Sequence, residues 1–177
     1  SEEEEVEEEL ERHHRDVEEY VKRLKELLDK LRRKNETTVR DIARLAKKHH
    51  DDVDELKKRN IDEETKDRLR EKTEELKRRL EEVKRRLEEE HKRAEDKARE
   101  DNERKKRESD RKEEELRRRN VSREVLKRFK DKVKENRDES ERVHREIKER
   151  LEELKRKNED VLRKVKKILD DNEERLR

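Results

Sequence analysis

The chain has 177 residues, 59 of them Lys or Arg and 57 Asp or Glu, so charged residues make up 66% and the net charge is only +2. Hydrophobic residues make up 23%, and Gly, Pro, Cys, Met, Trp and Gln are all absent. These counts exclude a disulfide framework, a thiolate zinc site and a cysteine nucleophile, a glycine-rich phosphate loop, and a membrane span, since no apolar run is longer than pairs such as Leu27–Leu28.

Ser1 followed by four Glu is the opposite of a targeting peptide. Evenly mixed charge signs argue against a nucleic-acid interface, which needs basic residues gathered on one face. Disordered chains share the high charge but are rich in Pro, Ser, Gln and Gly. This chain is built from Glu, Lys, Arg and Leu, which are strong helix formers.

In the first third, one row recurs every seventh residue: Leu10, Val17, Leu24, Leu31, Thr38, Leu45. A second row follows four residues behind: His14, Val21, Leu28, Asn35, Ile42, His49, Leu56. Together they form the a/d seam of a heptad repeat. Both rows pass through Asn35–Thr38, so this stretch reads as helix rather than loop.

The middle third carries Leu69, Leu76 and Val83 in one row and Thr73, Leu80, Leu87 and Ala94 in the other, with a phase slip at Ala98. The last third carries Leu126, Val133, Ser140, Ile147, Leu154, Val161 and Ile168, partnered by His144, Leu151, Asn158, Val165 and Asn172.

Two breaks interrupt the pattern without Gly or Pro. At Asn60-Ile61-Asp62 and again at Asn120-Val121-Ser122, an Asn suited to the left-handed conformation ends one helix. An Asp or Ser then caps the next. Ser1 with Glu4 makes a capping box for the first helix. The expected fold is all-α: an elongated, antiparallel (up-down-up) three-helix bundle with coiled-coil-like packing. It is read as one domain over 1–177, with helices at about 2–59, 63–119 and 123–176 and turns at 60–62 and 120–122.

Turns at these places set a register. Numbers of facing residues add to about 122 between the first two helices and about 242 between the last two. Polar seam residues then gather into layers. His14 shares a layer with Ser109 and Asn136, and Tyr20 with Asn102 and Ser140. Asn35 shares one with Leu87 and Asn158, and His49 with Thr73 and Asn172. The expectation is a set of buried hydrogen-bond networks that penalise every other register, since a lone buried polar group costs about 1–3 kcal/mol.

Chemistry is poorly supported. Glu-x-x-His pairs (Glu11–His14, Glu88–His91, Glu141–His144) are the units of di-metal bundle sites, but His14 and His144 lie out of register by about 13 Å along the axis. No metal site, cofactor or catalytic residue is expected. Histidine on the seam (His14 and His49, flanked by His13) points instead to a pH response. Burying a neutral imidazole disfavours its charged form, so stability should fall as pH drops below about 6.5. Residues 99–115 hold no hydrophobic side chain, so the bundle should open there first.

The missing amino-acid types, repeated turns and symmetric register make the chain resemble de novo designed helical bundles with buried hydrogen-bond networks. That design family includes designed heterodimers and cage-and-latch-like bundles. The stretch Asn120-Val121-Ser122-Arg123-Glu124-Val125-Leu126-Lys127-Arg128 is similar to its turn-and-helix-start segments. The resemblance implies a structural scaffold with no natural biochemical function, and the apolar residues, enough for one narrow seam per helix, favour a monomer with no required partner. The alternative is a designed binding module that accepts a further helix or self-associates, with His as a pH-responsive element.

Overall fold

The computed structural model describes residues 1–177, apart from the side chain of Lys57. Three helices account for almost all of it: α1 (Glu2–Lys58), α2 (Glu63–Arg118) and α3 (Arg123–Arg175). Each begins on a cap. Ser1 Oγ accepts from the Glu4 amide at 3.3 Å, Asp62 Oδ1 from Thr65 at 2.9 Å, and Ser122 Oγ from Val125 at 3.3 Å. The contact with Thr65 is the main cause that holds the Asp62 carboxyl below its ordinary range. Acidic first turns (Glu2–Glu5, Glu63 and Glu64) and a basic last turn in α2 (Arg117, Arg118) complement the helix dipoles.

The two turns differ. Asn120 takes the left-handed conformation at φ 54° and donates its amide to Arg117 O at 3.2 Å. It is the one non-glycine residue with positive φ among the described residues. Asn60 therefore does not repeat the left-handed ending expected of it.

Packing divides the chain into two compact units. The first is Ser1–Asp29 with Arg93–Leu151, and the second is Lys30–Lys92 with Glu152–Arg177. Each takes a segment from all three helices. In the second unit, Val39, Ile42 and Ala46 pack with Leu76, Leu80, Val83 and Leu87 and with Leu162, Val165 and Leu169. In the first, Val6 and Leu10 pack with Leu116, Val125, Phe129 and Val133. Numbers rise along one helix as they fall along its neighbour, so the arrangement is the antiparallel three-helix bundle expected.

The phase of the interior row differs from the expected one. In α1 it runs through Val6, Leu10, His13, Val17, Tyr20, Leu24 and Leu28, then the half-buried Leu31, then Asn35, Val39, Ile42, Ala46, His49 and Val53. Val21, Thr38, Leu45 and Leu56, placed on the seam by unbroken heptads, are only half-buried. In α3, Leu162 and Leu169 are buried where the heptad rows place Val161 and Ile168.

The cause is a pair of four-residue steps where heptads alternate four and three. Such double steps centre on Leu24 and Asn35 in α1, on Leu87 and Ala98 in α2, and on Ile147 and Asn158 in α3, which has a further one at Phe129. They raise the mean spacing from 3.5 to about 3.6 residues per turn, the period of an unstrained α-helix.

Candidate functional site

Among the described residues, polar side chains of the interior gather in layers, and they differ from layer to layer. In the second unit, His49 (2% exposed), Thr73 (1%) and Asn172 (0%) come from three helices. Asn172 Nδ2 donates to His49 Nδ1 at 2.9 Å. That leaves the His49 proton on Nε2, which lies 3.0 Å from Leu69 O and 3.1 Å from Thr73 Oγ1. Thr73 sends its own proton to Leu69 O at 3.0 Å. The amide oxygen of Asn172 accepts from His50 Nδ1 at 3.0 Å. The donor and acceptor ends of Asn172 are thus both used, and each only in one direction.

His50, not foreseen from the sequence, extends the cluster outward. Its Nε2 lies 3.5 Å from the Asp54 carboxylate, which Arg175 also pairs. Arg70 donates to Leu176 O at 2.7 Å, satisfying a carbonyl at the end of α3.

The Asn35 layer is different. Asn35 is 2% and Asn158 8% exposed. No hydrogen bond joins them among the described residues, and Asn35 Oδ1 has no partner. The third residue of the layer is Leu87, which can neither donate nor accept.

In the first unit the facing residue of Ser109 is His13, a correction to the expected His14. The row Val6, Leu10, Val17, Tyr20 puts position 13 inside, and one residue further on is about 100° around the helix. His14 is exposed: its Nδ1 reaches Asn136 Oδ1 at 3.4 Å and its Nε2 lies 2.9 Å from Glu18. Ser109 Oγ donates to Lys105 O at 3.1 Å, so the 3.4 Å contact with His13 Nε2 makes the imidazole the donor. Burial, then Lys112 and Lys105, hold the His13 pKa below its ordinary value.

Ser140 donates to Asn102 Oδ1 at 3.4 Å. Tyr20 does not join that pair: its hydroxyl donates to Ala98 O at 3.2 Å. Burial, with Asp101 nearby, pushes the Tyr20 phenol up to about 12.

The exterior is laced with ion pairs between helices, including Lys34–Glu90 at 3.1 Å, Lys106–Glu141 at 2.8 Å and Arg137–Asp110 at 2.7 Å. Most are exposed, and pairs of that kind are individually worth 0 to about 1 kcal/mol. Among the described residues, no group of three or more His, Asp or Glu side chains is gathered as metal ligands. No helix is long and apolar enough to cross a membrane.

No family model and no curated protein matches the chain. A solved structure described as a computationally designed three helix bundle is similar, with a TM-score of 0.51 and 16% sequence identity, over 99% of this chain and 87% of that one. At that identity the likeness carries the three-helix bundle fold alone.

Proposed function

We propose that the chain is a designed structural scaffold, without catalytic activity, whose interior polar residues specify the register of its helices. The observation that carries this reading is the His49–Thr73–Asn172 layer. Three buried polar side chains from three helices satisfy one another directionally. Sliding any helix by a turn would bury each group without its partner, at about 1–3 kcal/mol apiece.

Three further observations support it. The similar solved structure is itself described as a computationally designed bundle. Each compact unit takes a segment from all three helices, and we read the chain as one domain over 1–177. Among the described residues no large hydrophobic side chain is exposed, which supports a scaffold over a module built to accept a further helix.

The test is to replace the layer with apolar residues of similar size, as H49L, T73V and N172L together. Spin labels at the exposed positions 44 and 74 then report register as a distance distribution. The parent should give one narrow distribution. The triple variant should keep or gain thermal stability while the distribution broadens or splits. A variant as narrow as the parent would remove the register role.

A further inference from the structure

Along α2, the interior positions of the aliphatic core are filled by Leu or Val, as at Leu76, Leu80, Val83, Leu87 and Leu116. Ala98, 3% exposed, stands at an equivalent interior place. Its single methyl leaves a cleft of about 120 Å³ between α2 and α3 of the first unit. The buried Ala98, Ile147 and Leu151 make an apolar floor, and His144, Lys148, Arg99 and Glu95 stand around it. A cavity on the order of 150 Å³ holds a benzene ring, and this one opens to solvent on its charged side.

Two features of that charged side select a ligand. His144 Nδ1 is buried with no hydrogen-bond partner. Nδ1 is closed to solvent as the ring stands, so a ligand reaches it by turning the imidazole toward the cleft, and doing so makes a bond that the protein leaves unmade at a cost. Lys148 is exposed and makes no ion pair among the described residues. By contrast Arg99 is tied to Asp96 at 3.0 Å and Lys106 to Glu141 at 2.8 Å. Glu95 has an interaction of its own.

We propose that this cleft is a binding site for a small aromatic carboxylate, its ring on Ala98, Ile147 and Leu151 and its carboxylate shared between Lys148 and His144. The ring is required because the floor is apolar. The negative charge is required because the free groups at the mouth are a cation and an imidazole. Burial, Lys148 and Lys106 together hold the His144 pKa low, against the opposing pull of Glu141. A bound carboxylate would counter the lysines and raise it.

Benzoate is the probe, followed through the His144 ring proton by NMR. The expected result is a saturable shift and an upward move of the His144 titration midpoint, with acetate producing neither. Ala98→Leu fills the cleft and should abolish the saturable shift while leaving the unfolding midpoint unchanged or higher. Lys148→Glu, on the exposed rim, should weaken benzoate about tenfold and serves as the test if Ala98→Leu fails to fold. Absence of a saturable shift, an equal shift with acetate, or binding that survives both substitutions would each overturn the proposal.

Discussion

The second unit and the first solve the same packing problem with different material. In the second, all three helices give aliphatic side chains to successive layers, among them Val39 and Ala46 from α1, Leu76 and Val83 from α2, and Leu162 and Leu169 from α3. The polar layer beside them closes with bonds of 2.9 to 3.1 Å. In the first, α2 gives no hydrophobic residue between 99 and 115, where Ser109 is the one buried side chain. There three side-chain contacts between helices are 3.4 Å long, at His13–Ser109, His14–Asn136 and Ser140–Asn102, while Tyr20 reaches Ala98 O at 3.2 Å. The difference teaches that apolar layers tighten a polar layer only where its donors and acceptors meet, since the buried Asn35 and Asn158 of the second unit stay unjoined. Dry neighbours strengthen a hydrogen bond and exclude the water that competes for it.

Three measurements would break or sharpen that contrast. The largest effect belongs to Leu169→Ala in the second unit. Leu169 is fully buried, and its truncation should cost about 2–5 kcal/mol in urea unfolding. A loss below about 1 kcal/mol would mean that the aliphatic layers there are loosely packed. Next, amide exchange at residues 99–115 should run at least about tenfold faster than at 76–87, because local opening follows buried apolar contact. Equal protection would erase the distinction between the units.

The smallest effect is the response to acid. His13 and His144, both in the first unit, have pKa values lowered by burial and by nearby lysines. Their unfolded values lie near about 6.5, so protonation favours the unfolded chain. The stability they contribute is present above about pH 6.5 and is lost as pH falls from there through the folded values. The unfolding midpoint should therefore drop between pH 7.5 and pH 5, and the drop should shrink in a His13→Asn, His144→Asn variant. An unchanged midpoint in the parent would exclude the response.

Much of this architecture is legible in the residues. Asp62 and Ser122 announce helix starts by their chemistry, and helix-forming composition with spaced Leu and Val leaves little else to build. The pairing of His49 with Thr73 and Asn172 follows from the turn positions alone. Finer placement is not legible, because adjacent apolar or polar twins straddle the interior: Leu45 beside Ala46, Val161 beside Leu162, His13 beside His14. Choosing between twins needs the phase, and the phase is carried by double four-residue steps that a heptad template passes over. Reading backward from Val6, Leu10, Val17 and Tyr20 would have put His13 inside. Nothing local marks His50 as a partner of Asn172, since that contact depends on where the end of α3 lies.

The interior spacing of about 3.6 residues has a practical corollary. Roughly eighteen residues make five whole turns, so a block of that length inserted at level positions in all three helices returns every side chain to its own face. A chain with this period can be lengthened in modules without repacking what is already there, which a strict seven-residue repeat permits only by winding the helices further around one another.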